Sequence, residues 1–223
     1  MTKADRPAWR WGPFMLLAVA GPLTAWVLYQ GQLMARADWA SISARQQVVQ
    51  WVSGETAPTE AADWAAVRDE IQSSLDIQPD SPEFLERMGD VFSVAGQRDW
   101  ADSALRMKHF SAAAAFYERA ITTRPSEPGT WAMLAAARQA AGAPLASVHE
   151  AWVQAQKLGP FEGHVQPILM QVVLADWDHA SPAMQAWATT LFDRVSPGTQ
   201  GEINALAKRY GLQFQPGPPS AAP

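Results

Sequence analysis

Two stretches of the chain repeat one internal rhythm, and that repetition constrains the fold more than any other feature. The first opens Leu85-Glu86-Arg87-Met88-Gly89-Asp90-Val91-Phe92 and closes Ala113-Ala114-Ala115-Phe116-Tyr117-Glu118-Arg119-Ala120 ahead of Pro125. The second opens Trp131-Ala132-Met133-Leu134-Ala135 and closes Trp152-Val153-Gln154-Ala155 ahead of Pro160. Each runs from a large residue through apolar and small residues, then small-x-x-x-aromatic-x-x-Ala, then proline. A helical phrase that recurs with its own stop signal predicts helix pairs stacked on their neighbours, an arrangement that makes a binding surface and does not by itself make a reaction centre.

Composition supports an all-α reading. Helix formers dominate, alanine above all, and alternating Val/Ile/Thr/Tyr runs are nearly absent. The 223 residues, 48% hydrophobic, suffice for one modest domain with an anchor and tails. A net charge of -5 and no basic stripe argue against a nucleic-acid partner. There is no cysteine, which excludes disulfides, thiol nucleophiles and thiolate metal sites.

From Trp11 to Tyr29 no residue is charged. As a helix this run is roughly 28 Å long, close to the thickness of a bilayer core. Trp9, Trp11, Trp26 and Tyr29 sit near its ends, where amphipathic rings favour the membrane interface. Pro13 and Pro22 are better tolerated in a lipid-embedded helix than in a soluble one. Lys3, Arg6 and Arg10 precede the run, so the positive-inside bias leaves residues 1–10 in the cytoplasm and the remainder across the membrane. The expectation is a transmembrane helix over 11–32; the rival reading is a cleaved signal peptide, for which Ala35-Arg36-Ala37 offers a site.

Residues 33–78 read as two juxtamembrane helices. The first runs from Leu33 to Val52 with Trp39, Ile42, Val49 and Val52 at helical spacing, and the second, from Thr59, carries Trp64, Val67, Ile71 and Leu75 on one stripe. Ser81 and Pro82 then suit the entry of a helix. Residues 79–212 form the expected helical domain, in which an insert over 97–108 splits the first repeat after Gly96. A third, degenerate helix pair spans Val165 to Trp177 and Pro182 to Arg194. A last helix from Thr199 to Tyr210 would cover the open end with Ile203, Leu206 and Ala207. Residues 213–223, rich in Pro, Gly, Ser and Ala, read as a disordered tail.

The rhythm resembles that of a tetratricopeptide (TPR) repeat. The expected architecture is therefore a transmembrane helix followed by a short TPR-like helical-hairpin solenoid. In such a stack the front helices line a groove, and the register sends Glu83, Glu86, Asp90, Gln139 and Gln171 towards it. One reading is an acidic partner-binding groove; the other is a solvated helix face. Trp100, in the insert beside Arg98, Asp99 and Arg106, is either a further partner contact or an apolar plug over the repeat junction. The histidines, His109, His149, His164 and His179, lack metal-ligand spacing, so no metal site is expected. No phosphate loop or nucleophile elbow is present, and neither a cofactor nor an enzymatic activity is expected. The eleven tryptophans read as packing and interface residues.

A more specific resemblance rests on several phrases together. They are Pro79-Asp80-Ser81-Pro82-Glu83-Phe84-Leu85-Glu86-Arg87-Met88-Gly89 and Arg124-Pro125-Ser126-Glu127-Pro128-Gly129-Thr130-Trp131-Ala132. Leu158-Gly159-Pro160-Phe161-Glu162, Trp177 and Ala207-Lys208-Arg209-Tyr210-Gly211 complete the set. With the anchor, the stretch from Ala57 to Leu212 is similar to the VpsP-type polysaccharide biosynthesis proteins of bacterial exopolysaccharide and exosortase-linked gene clusters. That resemblance implies a single-pass inner-membrane protein with a periplasmic domain. It would be a scaffold among protein partners in polysaccharide assembly, and no catalytic residue carries over. Anchored periplasmic TPR domains also serve cytochrome c maturation, which is the alternative assembly role. A small polysaccharide-modifying enzyme is the third reading.

Overall fold

Local signals set most of the helix starts. The computed structural model describes residues 12–98 and 102–212, and these are all-α, with no strand. The helices are α1 (Gly12–Ser53), α2 (Ala61–Ile77), α3 (Pro82–Arg98), α4 (Ser103–Thr123), α5 (Pro128–Ala140), α6 (Leu145–Leu158), α7 (Val165–Ala175), α8 (Pro182–Arg194) and α9 (Pro197–Arg209). A 3-10 turn, Trp177–His179, lies between α7 and α8. Proline opens α3, α5, α8 and α9, where its missing N–H costs nothing and its fixed φ suits the first turn. Ser181 Oγ accepts the Met184 N–H and Ser196 Oγ the Thr199 N–H, each at 3.3 Å. At the start of α2 the Asp63 carboxylate accepts the backbone N–H groups of Thr59 (3.0 Å) and Glu60 (2.9 Å). The Thr59 hydroxyl, foremost, holds this carboxyl below its usual range.

The insert expected over 97–108 is mostly helix. Gln97 and Arg98 end α3, and residues 103–108 lengthen α4 at its start. Asp102 makes this possible, because one carboxylate oxygen accepts the N–H groups of Ala104 and Leu105, both at 3.0 Å. Asp102→Ala should therefore destabilise the fold by about 1 kcal/mol, read as a lower urea midpoint with an unchanged m-value.

Successive helices pair as antiparallel hairpins. In the first, Ser74 Oγ of α2 donates to the Ala37 carbonyl of α1 at 2.9 Å, and Ser43 Oγ donates to Glu70 at 2.5 Å. In the second, Gly89 and Gly96 of α3 lie under Tyr117 and Phe110 of α4. A Cβ at either glycine would sit 2.5 Å and 2.8 Å from those rings, so only glycine permits this approach. In the third, Arg138 of α5 donates to the Ser147 carbonyl of α6 at 2.7 Å. α7 packs on α5 and α6, and α8 and α9 pack on α7.

Two hydrophobic clusters result. One joins Val48, Trp51, Ile71, Phe84, Leu85 and Met88 from α1 to α3, with Ala120 of α4. The other runs from Tyr117 and Ile121 of α4 through Leu134, Trp152, Leu169 and Phe192 to Ile203 and Ala207 of α9. α4 contributes to both clusters. Ile203 and Ala207 are buried and Leu206 packs beside them, so α9 covers this end of the core.

α1 departs most from the sequence reading. The segment expected to cross a membrane and the helix from Leu33 to Val52 are one uninterrupted helix of 42 residues, with Pro22 inside it. Its buried face is also not the large apolar stripe. Ala37, Ser41, Ala44, Val48 and Trp51 are buried, whereas Trp39 is 81% exposed and Ile42, Val49 and Val52 face solvent. The reason is steric, because small residues let α2 approach closely enough for Ser74 to reach the Ala37 carbonyl.

Among the described residues no helix is long and apolar enough to cross a membrane. The charge-free run starting at Trp11 begins outside them. The cytoplasmic segment 1–10, the tail 213–223 and Trp100 also lie outside the described residues.

Candidate partner-binding surface

α1, α3, α5 and α7 form the front row of the hairpins, linked α1 to α3 and α5 to α7 by direct packing and α3 to α5 by a hydrogen bond from Thr130 to Glu86. The residues expected to face a groove divide by what they touch.

Glu83 is at the surface and accepts Arg45 Nη1 of α1 at 2.7 Å. Arg45 also lies 3.6 Å from Asp38 and over the Phe84 ring, 5.7 Å from its centroid. A cleft of about 470 Å³ opens here between α1 and α3, lined by Ile42, Gln46, Val49, Glu83 and Arg87 among others. So α1 itself occupies one side of the space in front of α3. An ion pair this exposed contributes little to stability.

Glu86 accepts Arg124 Nη2 at 2.6 Å and 2.7 Å with its two oxygens, and the buried Thr130 hydroxyl donates to the same carboxylate. These bonds tie the end of α4 and the start of α5 to α3. The Glu86 hydrogen bond raises the Arg124 pKa further above its already high value.

Asp90 is 6% exposed. Tyr117 OH donates to its Oδ1 at 2.8 Å and Arg87 Nη1 to its Oδ2 at 2.9 Å, while Ser93 Oγ lies 3.3 Å from Tyr117 OH. Burial pushes the Asp90 carboxyl up to about 6, against the opposing pull of Tyr117 and Arg87. Burial, and then the Asp90 charge, raise the Tyr117 phenol well above its ordinary value. The sequence register placed Asp90 with Glu86 on one face, i and i+4. The structure turns Asp90 inward, because Gly89 lets the Tyr117 ring reach it.

Gln139 donates through Nε2 to the Val172 carbonyl of α7 at 2.8 Å, which joins α5 to α7. Gln171 is exposed on α7. The structure thus gathers Glu86 and Asp90 with partners from α4 and α5. It leaves Glu83 and Gln171 at the surface and uses Gln139 as an interhelical link.

A second polar cluster was not legible in the sequence. Gln139, His149, Asp176, His179 and Ser181 line a cleft of about 190 Å³ whose apolar walls include Val148, Val172 and Met184. His149 Nε2 is 3.3 Å from Ser181 Oγ, and His179 Nδ1 is 2.7 Å from Asp176. The Asp176 hydrogen bond raises the His179 pKa. The serine and the aspartate address different histidines, so no Ser-His-Asp relay forms, and Ser181 Oγ is already the cap of α8. His149 and Ser181 are 32 positions apart, and no local spacing could have paired them. Among the described residues no group of three or more His, Asp or Glu side chains is placed to hold a metal ion.

The class defined here is an all-α protein of consecutive helical hairpins whose polar front-row residues mainly bridge helices. Comparison with protein-family models, with curated proteins and with solved structures finds no match.

Proposed function

We propose that this chain is a membrane-anchored adaptor: a single-pass inner-membrane protein whose TPR-like hairpin domain stands in the periplasm and supports exopolysaccharide biosynthesis or export. One observation carries the anchored geometry. α1 is a single helix whose second half builds the first hairpin, while the large apolar side chains described ahead of it find no core. Leu23, Trp26, Val27, Leu28 and Tyr29 are 55% to 69% exposed, and the first buried residue after them is Ala37. An apolar helical arm of this kind is costly in water and stable in lipid.

The rigid continuation has a mechanical consequence. From Tyr29 to Ala37 the helix rises about 12 Å, so the domain is held close to the membrane surface. Tethering of this sort raises the effective concentration of the domain near a membrane-bound partner. The polysaccharide assignment rests on the sequence resemblance to VpsP-type proteins. The adaptor assignment is supported by the front row, where Glu86 and Asp90 are engaged in helix-to-helix bonds and offer no free acid-base pair.

A clean deletion tests the proposal. Polymer output should fall and be restored by the intact gene, while the purified full chain turns over no nucleotide sugar. Undiminished polymer would sink the proposal, and a concurrent loss of c-type cytochromes would move the adaptor to that assembly pathway. For topology, a reporter that works only outside the cytoplasm should be active when fused after Pro223.

A further inference from the structure

Among the described residues the most solvent-exposed large apolar side chain is Phe161, 85% exposed in the turn between α6 and α7. Its exposure does not come from a loose loop. Gly159 seats the turn against α5, where an added Cβ would meet Pro128 at 2.7 Å. Gln166 Nε2 donates to the Pro160 carbonyl at 3.1 Å, and the N–H groups of Val165 and Gln166 both donate to the Glu162 carbonyl, at 3.0 Å and 3.1 Å. The backbone thus holds an apolar ring in water at a fixed place.

Beside that ring lies a cleft of about 230 Å³, lined by Pro160, Phe161, Gln166, Trp187, Leu191 and Arg194 among others. Trp187 is fixed edge-on against Trp152, with ring centroids 5.2 Å apart. Arg194 makes no hydrogen bond or ion pair among the described residues, unlike Arg45, Arg87, Arg124 and Arg138, which each hold a carboxylate. Glu162, the acid on the Phe161 turn, faces His164, at 3.4 Å. The cleft therefore combines flat apolar surface with an unspent positive charge and a side-chain amide.

We propose that this cleft is a subsite for one acidic sugar unit, a uronate, of a polysaccharide chain; the inference rests on the adaptor reading above and names what the adaptor touches. The chemistry matches on three counts. Phe161 and Pro160 offer flat faces on which the C–H face of a pyranose stacks. Arg194 offers the planar fork that pairs with a carboxylate. Gln166 and the indole of Trp187 serve ring hydroxyls at the edge. Size favours a single ring, since the cleft is smaller than the roughly 300 Å³ at which pockets for larger ligands begin.

The test uses the full chain in detergent micelles, titrated with hexagalacturonate, with cellohexaose and with a poly-glutamate peptide, followed by calorimetry and by tryptophan fluorescence. Hexagalacturonate should bind. Phe161→Ala and Arg194→Gln should each weaken it by about tenfold or more while far-UV circular dichroism is unchanged, because both side chains are exposed. Cellohexaose, lacking the carboxylate, should bind at least about tenfold more weakly. Absence of hexagalacturonate binding, indifference to both substitutions, or equally tight binding of poly-glutamate would each overturn the subsite. The deletion phenotype keeps the two readings apart. Lost polymer without oligouronate binding overturns the subsite alone, and undiminished polymer overturns the adaptor role.

Discussion

Replacing Tyr117 by alanine should lower the free energy of unfolding by about 4 kcal/mol, the largest effect expected of a single substitution here. Tyr117 is 1% exposed and belongs to the hydrophobic cluster that runs from α4 to α9. Its ring fills the space above Gly89, so truncation leaves a cavity that α3 and α4 cannot close without moving apart. Truncation also removes the hydroxyl that donates to Asp90 at 2.8 Å, leaving a buried carboxylate with Arg87 alone. Tyr117→Phe separates the two contributions. It keeps the ring and deletes the hydrogen bond, and should cost about 1–3 kcal/mol. Urea unfolding of both variants checks this; equal losses for Phe and Ala would mean that the ring contributes nothing beyond its hydroxyl.

The stability difference between the wild type and Asp90→Asn should fall by about 3 kcal/mol as pH rises from about 3 to 7. The carboxyl is pushed up from 3.8 to about 6, roughly two pH units, and each unit corresponds to about 1.4 kcal/mol. The sign follows from proton counting. Between those values the folded protein holds a proton on Asp90 that the unfolded chain has released, so rising pH favours unfolding. The contribution is fully present below pH 3.8 and lost above about 6. Burial dominates, Tyr117 and Arg87 oppose it, and Glu86 adds a smaller upward push. Asparagine does not titrate, so subtracting its profile cancels every other group that the substitution leaves undisturbed. A flat difference from pH 4 to 7 would show that Asp90 stays ionised throughout, with Arg87 outweighing burial.

Much of the helix plan was legible because its signals are local. Proline at the first position of α3, α5, α8 and α9, and serine ahead of α8 and α9, act over one turn of backbone. The repeated phrase announced stacked helix pairs, but that Gly89 and Gly96 meet Tyr117 and Phe110, 28 and 14 positions away, is decided only in the folded chain. The candidate surface was less legible. Glu86, Asp90 and Gln139 carry the polarity of groove residues, yet apart from Arg87 beside Asp90 their partners lie 27 to 44 positions away. A carboxylate waiting for a partner protein and one that holds its own Arg and Thr look alike in one dimension.

α1 shows the division most clearly. By itself the sequence determined that residues from Gly12 onward are helical, and apolar as far as Tyr29, because the helical period and the lack of charge are properties of consecutive residues. Which side of that helix is buried was decided only by the tertiary structure. Trp39, Ile42, Val49 and Val52 have the greater hydrophobicity, but Ala37, Ser41 and Ala44 face α2, since two helices can approach to hydrogen-bonding distance only where side chains are small. Hydrophobicity belongs to a residue. Burial belongs to a pair of surfaces, and the second surface, α2, enters the chain only after Ser53.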